Sequence, residues 1–307
     1  MGKDLKQAIK REYLKCADNP VHFMKKYCTI QHPKKGKIKF DLYDFQENML
    51  TEFKENRYNI ILKSRQLGIS TLSAGYSLWT MLFHNDKNVL VIAKDKDTAK
   101  NLVTKVRVMY SGLPQWLKTK VDEDNKLSLR LGNGSQIKAV AATSEAGRSE
   151  ALSLLVVDEA AFIENIDSIW TAAQQTLATG GDCIALSTPN GVGNWFHKQW
   201  VGAEDGSNEF NTIKLHWSNH PDRDESWRKE QDKILGPSQA AQECDADFLT
   251  SGQSVVDPQI LQWYKETMIK EPVEKAGIDR NLWIWEQPDY TKEYMVVADV
   301  ARGDGTD

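Results

Sequence analysis

The sequence has few of the features that mark secreted, membrane-bound or fibrous proteins. It holds only four cysteines in 307 residues, which is too few for a disulfide framework in a chain of this length. No stretch approaches the roughly 18 consecutive apolar residues of a membrane-spanning helix. The N-terminal segment MGKDLKQAIKREYLK lacks the apolar core of a signal peptide. Repeats and low-complexity segments are also absent. These absences predict a soluble intracellular protein.

Charge of one sign is not in large excess, since 39 Lys and Arg stand against 43 Asp and Glu, a net charge of −4. The distribution is uneven, because residues 1–39 alone carry eleven Lys and Arg and three Asp and Glu, a net of +8. Such a segment is typical of a nucleic-acid-binding face or of a solvated helix, and the sequence leaves both open. Two cysteines and two histidines lie in the same segment, but they lack the spacing of a zinc knuckle.

From residue 58 onward, apolar runs alternate with helical stretches. The runs typical of buried strands are YNIILK (58–63), NVLVIA (88–93), 154–157 and 183–187. Helical length and periodicity mark the intervening segments 69–83, 95–110 and 164–178. This alternation predicts an α/β fold with a parallel sheet and helices on both faces.

Other segments are predicted outside that alternation. Residues 3–28 have a helical pattern, and 31–37 form a turn-rich basic connection. The runs 127–131 and 136–141, joined by Gly-Asn-Gly-Ser, predict an inserted β-hairpin. Residues 222–248 predict two helices outside the sheet, and 294–298 a further strand near the end of the chain.

The strand 58–63 runs into SRQLGIST and then a helix, a context in which backbone N–H groups and a helix N-terminus hold phosphate. The usual pattern there is G-x-x-x-x-G-K-[ST]. Gly68 and Ser70 match its second glycine and its hydroxyl, whereas Ile69 stands at the lysine position and Lys63 at the first position. We expect Lys63 to reach the β- and γ-phosphates of ATP, Ser70 to bind Mg²⁺, and Arg65 to add charge at the γ-phosphate. A plain strand–turn–helix remains the alternative.

The whole loop is predicted to bind ATP. Its residues are Lys63, Ser64, Arg65, Gln66, Leu67, Gly68, Ile69, Ser70 and Thr71.

The segment LLVVDEAAF (154–162) is an apolar strand that ends in two carboxylates, the form of a Walker B motif. Asp158 is expected to hold Mg²⁺, directly or through water, and Glu159 to orient and polarise the attacking water. We expect this strand and the phosphate-loop strand to be neighbours in the sheet. An acidic loop after a buried strand is the alternative, but two adjacent carboxylates there are costly without partners.

Three flanking features are compatible with the same site. Tyr43 and Gln46, in LYDFQ, suit adenine, because a ring stacks and an amide pairs donor with acceptor. Ser187 and Thr188, at the end of the strand 183–187, are placed to sense the γ-phosphate and to couple hydrolysis to movement. Arg148, in a loop of small residues before the Walker B strand, is a candidate arginine finger, acting in cis or on a neighbouring subunit.

Taken in order, LYDFQ, LKSRQLGIST, the hairpin with GNGS, the GRS loop, VVDEAAF and STPNG resemble the large terminase subunit of tailed bacteriophages, in its T4-like form. The resemblance covers roughly residues 40–255. It implies a P-loop NTPase fold of the ASCE or RecA-like kind with a small helical lid subdomain. The resemblance also implies that the phosphate-binding lysine can stand at the first position of the loop, as Lys63 does here. Because Ile69 occupies the usual lysine position, the resemblance leaves open whether Lys63 or Arg65 binds the phosphate.

The resemblance also implies that an RNase H-like nuclease follows, which uses two Mg²⁺ or Mn²⁺ ions to cut concatemeric DNA. YMVVADVARGDGTD resembles its first strand, with Asp299 as the first metal ligand and Asp307 as an accessory carboxylate. Because two divalent ions need several carboxylates, we expect this chain to be a fragment without a competent nuclease. The resemblance implies five segments along the chain. They are an N-terminal basic and adenine-motif segment (1–56), an ATPase core (57–220), a helical lid (221–255), a linker (256–290) and an incomplete nuclease (291–307).

The function that the resemblance implies is ATP-driven translocation of double-stranded DNA into a procapsid. Its implied partners are the portal protein, a small terminase subunit and other copies of the chain, in a ring of about five. The implied location is the host cell cytoplasm, with no membrane and no place in the mature virion. Two alternatives remain: a DEAD-like helicase or translocase, and a nucleotide- or DNA-binding scaffold without hydrolysis.

Overall fold

The structure is a computed structural model that describes residues 3–143, 146, 151–248, 251, 260, 263, 264, 267–277 and 282–295. The chain divides into two compact units, residues 1–258 and 259–307, and each is described by itself. Among the described helices, none is both long and apolar enough to cross a lipid bilayer.

The described elements, in chain order, are α1 (Lys3–Asp18), α2 (Pro20–Tyr27), β1 (Thr29–His32), β2 (Gly36–Lys39), α3 (Asp44–Glu55), β3 (Tyr58–Lys63), α4 (Ile69–Phe83), β4 (Asn88–Ala93), α5 (Lys96–Gly112), β5 (Val121–Asn125), β6 (Ser128–Leu131), β7 (Gln136–Ala141), β8 (Leu154–Asp158), α6 (Ile166–Leu177), β9 (Asp182–Ser187), α7 (Trp195–Glu204), β10 (Phe210–Leu215), α8 (Glu225–Leu235), α9 (Pro237–Cys244), β11 (Glu274–Ala276) and β12 (Leu282–Ile284). Short 3₁₀ turns lie at Gln115–Leu117, Ala160–Phe162 and Trp217–Asn219.

The N-terminal helical prediction is confirmed as two helices, α1 and α2. Asn19 separates them, because its side chain accepts a hydrogen bond from the His22 amide at 2.9 Å and caps α2. The predicted turn-rich connection over 31–37 is confirmed as a turn at 33–35, but its flanking residues belong to the strands of an antiparallel hairpin of β1 and β2, which the prediction did not include. Its short strands carry one apolar pair, Ile30 opposite Ile38, too little alternation for the pattern to be recognised.

The centre of the first unit is an eight-stranded sheet in the order β10-β3-β9-β8-β4-β7-β6-β5. The six strands from β10 to β7 are parallel, and β6 and β5 continue the sheet antiparallel. The predicted hairpin of β6 and β7 is confirmed, but it is not a separate insertion, because β7 pairs in parallel with β4.

Helices cover both faces of this sheet, as the near-continuous apolar strands require. One face packs against side chains of α1 to α5, and its strand residues include Ile61, Val89, Val91, Leu154 and Val156. The other face packs against α6 and α7, and its strand residues include Ile60, Leu62, Leu90, Leu155 and Val157. Consecutive residues therefore alternate between two cores.

The predicted helices over 222–248 are confirmed as α8 and α9, outside the sheet. In the second unit β11 and β12 form an antiparallel pair. Of the predicted strand 294–298, Tyr294 and Met295 are described and lie outside regular structure. The rest of that strand lies outside the described residues.

The carboxyl ends of the parallel strands meet at one edge of the sheet. Pairing brings Leu215 beside Lys63, Leu62 beside Ser187, and Leu186 beside Asp158. The prediction that the phosphate-loop and Walker B strands are neighbours is wrong, because β9 lies between β3 and β8. Crossover connections decide which parallel strands pair, and apolar strand sequences do not encode that order.

Candidate functional site

The loop between β3 and α4 has a backbone fixed from inside the protein. Gln66 and Gly68 adopt left-handed conformations, with φ of 60° and 77°. The buried Gln46 side chain donates to the Leu67 carbonyl at 2.9 Å, and its Oε1 accepts from the Tyr43 amide at 3.2 Å. A Cβ added at Gly68 would lie 2.7 Å from Gln46 Nε2, so this position requires glycine.

The first half of the loop is held from outside by the segment that leads into α8. Arg223 donates from Nη1 to the Arg65 carbonyl at 3.0 Å and from Nη2 to the Gln66 carbonyl at 3.1 Å. Its guanidinium lies 4.3 Å from the centroid of the Trp227 ring. Burial lowers the pKa of Arg223. No motif singles out Arg223, because it lies 158 residues from the carbonyl of Arg65.

Helix α9 holds the same part of the loop through Glu243. The Glu243 carbonyl accepts from the Arg65 amide at 2.7 Å, and its carboxylate pairs with the Arg65 guanidinium at 2.9 Å. The Ser64 amide donates to the Leu215 carbonyl at 2.8 Å. These bonds fix the loop carbonyls and the first two amides on protein partners.

The next amides of the loop form an anion-binding arrangement. Within the described part of the chain, the amides of residues 66–70 donate to no other residue. They precede and open α4, a fifteen-residue helix whose N-terminal end carries a partial positive charge. Unpaired amides at a helix N-terminus are suited to phosphate oxygens.

Lys63 and Arg65, the two candidate cations, have different surroundings. Lys63 is half-buried, and no described carboxylate lies within ion-pair distance of its ammonium group. Burial lowers the pKa of Lys63, and the nearby carboxylates of Asp158 and Glu159 oppose that shift. Arg65 is exposed and bound to Glu243. The structure therefore directs Lys63 toward the carboxylates and Arg65 toward α9.

The remaining loop residues divide into buried and available side chains. Leu67 and Ile69 are buried in the core, where an apolar side chain at position 69 is favoured over a charged one. Ser70 lies in the first turn of α4, and its hydroxyl bonds to no other residue in the described ranges. Thr71 donates its amide to the Gly68 carbonyl at 3.0 Å.

Asp158 and Glu159 lie at the carboxyl end of β8. Asp158 is buried, and its Oδ1 accepts from the Glu159 amide at 3.0 Å. Glu159 has a left-handed backbone, with φ of 56°, which is uncommon for a non-glycine residue and typical of functional positions. Its carboxylate lies 2.7 Å from the Lys94 ammonium, which follows β4. This hydrogen-bonded pairing raises the pKa of Lys94.

Ser187 and the residues after it contact the turn that follows Glu159. The Ser187 hydroxyl accepts from the Ala161 amide at 3.2 Å, and the Asn190 side chain donates to the Ala161 carbonyl at 3.1 Å. Thr188 is buried. One residue on, the Pro189 carbonyl accepts from Gln242 of α9 at 3.4 Å. The end of β9 thus contacts both the Walker B turn and the helix that holds the phosphate loop.

Tyr43 precedes α3 and lies in an aromatic cluster with Phe45 and His220. Its ring is 4.7 Å from the His220 ring and stacks on Phe45 at 5.7 Å. Burial and the neighbouring Arg223 lower the pKa of His220. Tyr43 and His220 form an aromatic surface close to the loop. The role of Tyr43 and Gln46 toward adenine stays a prediction.

Three predicted site residues lie outside the described residues. They are Arg148, Asp299 and Asp307. Their roles as an arginine finger and as nuclease ligands stay predictions.

The donors expected for Mg²⁺ fit that ion. Asp158 has no described lysine or arginine in ion-pair distance, and the Ser70 hydroxyl is unused by other described residues. A carboxylate and a hydroxyl are hard oxygen donors, which Mg²⁺ prefers.

The N-terminal cysteines and histidines do not form a comparable site. Glu12, Cys16 and His22 bring their donor atoms within 4.8 Å of one another. However, Glu12 already accepts hydrogen bonds from Lys26, His22 and Tyr27, at 2.8, 2.7 and 2.9 Å. The Lys26 ammonium therefore occupies the position in which a cation would neutralise this carboxylate.

Comparison with known proteins agrees with the fold. The family model described as terminase large subunit, T4likevirus-type, N-terminal, matches residues 60–267. The large terminase ATPase domain of Thermus phage P74-26 is 20% identical, with a TM-score of 0.56, over 68% of this chain and 94% of that one. The HK97 bacteriophage large terminase is 16% identical, with a TM-score of 0.62, over 76% of this chain and 55% of that one.

The large terminase of a thermophilic bacteriophage, solved in complex with ADP, is 14% identical, with a TM-score of 0.55, over 66% of this chain and 52% of that one. The chain thus spans about half the length of this ADP-bound terminase and of the HK97 protein. At these identities the structures show a shared fold, the P-loop NTPase sheet flanked by helices. The family model covers more than half of the sequence, and the chain therefore belongs to the T4-like family of phage terminase large subunits.

Proposed function

We propose that this chain is the ATP-hydrolysing motor part of a terminase large subunit, which drives double-stranded viral DNA into a procapsid. The observation that carries the proposal is the meeting of unpaired loop amides, Lys63 and the Asp158–Glu159 pair at one edge of the sheet. Family membership supports the same role. The ADP in the similar terminase of a thermophilic bacteriophage supports a nucleotide at this edge.

The phosphate loop supplies binding. Its amides 66–70 donate to phosphate oxygens, while Arg223 and Gln46 keep the loop carbonyls turned toward the protein. Lys63 adds a positive charge at the β- and γ-phosphates. Because the Lys63 ammonium has no described ion-pair partner, it is available to a ligand. Tyr43 offers a ring to the base.

Glu159 supplies the base that orients and polarises water. Its ion pair with Lys94 fixes the carboxylate at the end of β8 before nucleotide arrives. Ser70 and Asp158 would hold Mg²⁺, which neutralises phosphate charge when bound. Arg148, from the loop before β8, would stabilise transferring charge in cis or on a neighbouring copy.

We expect ATP hydrolysis to be coupled to movement through a series of contacts that runs from the turn after Glu159 to the phosphate loop. Ser187 bonds to the turn after Glu159, Pro189 bonds to Gln242 of α9, and Glu243 of α9 bonds back to Arg65 of the phosphate loop. Through these contacts we expect a change of charge at the γ-phosphate to be transmitted to α9, which Arg228 of α8 contacts through Asp245.

The proposal includes the surroundings in which such a motor works. Its partners are double-stranded DNA, the portal protein, a small terminase subunit and other copies of the chain in a ring of about five. Its location is the cytoplasm of the host cell. The complete protein would also cut concatemeric DNA through a two-metal nuclease that begins near Asp299.

A comparison of wild type with Glu159→Gln tests the hydrolysis. Phosphate release with Mg²⁺ and ATP should fall by about 100-fold or more in the variant, because a general base contributes about 10²–10⁴-fold. Affinity for ADP should stay within about twofold, because Glu159 does not hold phosphate.

Equal phosphate release by wild type and Glu159→Gln would contradict the motor proposal. It would favour the non-hydrolysing scaffold that Ile69 at the lysine position leaves open. Glu164→Gln, at an exposed carboxylate a few residues further on, is the matched control and should hydrolyse ATP at the wild-type rate.

A further inference from the structure

The N-terminal hairpin presents a group of lysines that the nucleotide site does not use. The segment from residue 19 to residue 40 contains six lysines and no Asp or Glu. Four of these lysines are exposed on β2 or the turn before it. Together with Lys118 they are called the hairpin surface: Lys34, Lys35, Lys37, Lys39 and Lys118.

The hairpin surface is supported by defined hydrogen bonds. His32 Nδ1 accepts from the amides of both Lys34 and Lys35, each at 3.1 Å, so the ring fixes the turn that carries them. The base is closed by the Phe40 amide, which donates to the Cys28 carbonyl at 3.0 Å. Ile30 packs against the core, whereas Lys37 and Lys39 alternate with Ile38 and share one face of β2.

None of the five ammonium groups pairs with a carboxylate in the described part of the chain. The other two lysines of the segment, Lys25 and Lys26, are paired with Glu47 and Glu12. The turn lysines Lys34 and Lys35 and the strand lysine Lys39 have no such partner. The contrast is that Lys25 and Lys26 are neutralised by carboxylates, whereas no described carboxylate neutralises the charges of the hairpin surface.

Two of the cations converge on one residue at the end of α5. Lys37 Nζ lies 3.4 Å from the Ser111 hydroxyl, and Lys118 Nζ donates to the Ser111 carbonyl at 2.9 Å. The helix C-terminus favours one of these cations. Two ammonium groups without a carboxylate repel each other, and an anion placed between them would remove that repulsion.

We propose that the hairpin surface contacts the phosphodiester backbone of double-stranded DNA. The inference rests on the proposed function and adds to it the place where DNA is held. Backbone contact requires exposed cations and no base-reading groups. An interface with another protein would instead be centred on aromatic or apolar anchors, and no large hydrophobic side chain is exposed in the fully described hairpin, residues 29–39.

The test is the salt dependence of DNA binding by the complete 307-residue chain. The probe is a short fluorescent duplex, titrated at several salt concentrations with wild type and with a Lys34→Gln, Lys35→Gln, Lys37→Gln variant. Each lost phosphate contact reduces the slope of log K against log salt by about 0.9. The slope should therefore fall by roughly 2 to 3 in the variant.

A matched control changes the same charge elsewhere on the basic segment. Lys6, Lys10 and Lys15 are exposed on α1 and have no described carboxylate partner, and their replacement by Gln should leave the slope unchanged. Replacement of Lys34, Lys35 and Lys37 by Arg should also keep the wild-type slope. ATP hydrolysis without DNA should be the same in all four proteins.

The outcomes separate this inference from the proposed function. If the hairpin variant has the wild-type slope of log K against log salt, the inference that the hairpin surface contacts DNA is wrong. The proposal that the motor binds DNA is not affected by that result. An equal loss in the α1 control also overturns the inference about the hairpin surface, because the effect would then follow total charge rather than place. A wild-type chain without salt-dependent DNA binding contradicts both.

Discussion

Lys63 and Arg65 are two residues apart on one short loop, yet they are placed for different tasks. Lys63 ends β3, is half-buried, and lies near the Asp158 and Glu159 carboxylates. Arg65 is exposed, and its guanidinium is held by Glu243. A cation already bound to a carboxylate is less available to phosphate than one without a partner. The local geometry therefore favours Lys63 over Arg65 for the phosphate-binding role that we propose.

Nucleotide affinity of Lys63→Ala and Arg65→Ala tests this assignment. Lys63→Ala should weaken ADP binding by about 10- to 100-fold, the effect of a charge-assisted hydrogen bond worth about 1.5–3 kcal/mol. Arg65→Ala should weaken it by less than about threefold, since its main partner is Glu243. The measurement is a titration with a fluorescent ADP analogue. A larger loss in Arg65→Ala would reverse the assignment.

At the scale of elements, the phosphate loop depends on helices far away in the sequence. The segment before α8 supplies Arg223, and α9 supplies Glu243, so the loop between β3 and α4 is fixed by the lid. Arg228 in turn bridges α8 to Asp245 at 2.7 Å. The shape of the anion site is therefore a property of the sheet and the lid together.

Replacement of Arg223 tests whether the lid shapes the anion site. Arg223→Ala should raise the Kd for ADP by about tenfold or more, because two carbonyls lose a charged donor and the loop loses its fixed geometry. Lys229→Ala, an exposed change on α8 without a described partner, should have no effect. An unchanged Kd in Arg223→Ala would show that the loop keeps its shape without the lid.

At the scale of the whole molecule, the basic residues are concentrated near the N-terminus of the first compact unit. Although the net charge is −4, the N-terminal segment is basic. Its lysines differ in whether they form ion pairs with carboxylates. Lys25 and Lys26 hold α2 to α3 and α1 through Glu47 and Glu12. The lysines of the hairpin surface pair with no carboxylate of the described residues, and these are the charges that the proposed DNA contact would use.

Nucleotide should stabilise this unit as a whole, because the loop contacts the sheet, α3, α9 and the segment before α8 together. ADP at about 100 times its Kd adds about 2.7 kcal/mol to the free energy of unfolding. For a unit of this size the midpoint of thermal unfolding should rise by about 5–10 °C. Scanning fluorimetry measures the shift, and Lys63→Ala at the same ADP concentration should show about half of it or less, because the expected 10- to 100-fold loss of affinity leaves roughly 0.4–1.4 kcal/mol of stabilisation. An equal shift in both proteins would place the nucleotide elsewhere.

Much of the fold and part of the site could be predicted from the residues themselves. Continuous apolar runs identify β3, β4, β8 and β9 because strands covered on both faces must be apolar throughout. The β1–β2 hairpin was missed because it has only one apolar cross-strand pair. β5 was missed because four of its five residues are exposed and polar.

Neighbouring residues alone specify the α/β class, the phosphate loop and the carboxylate pair, since each is encoded within a short segment. Tertiary packing was needed to place β9 between β3 and β8, to pair Glu159 with Lys94, and to bring Arg223 and Glu243 to a loop 158 and 178 residues earlier. The difference is one of range. Periodicity and capping depend on residues a few positions apart. Strand order and side-chain pairing depend on the tertiary packing of segments that are distant in the sequence.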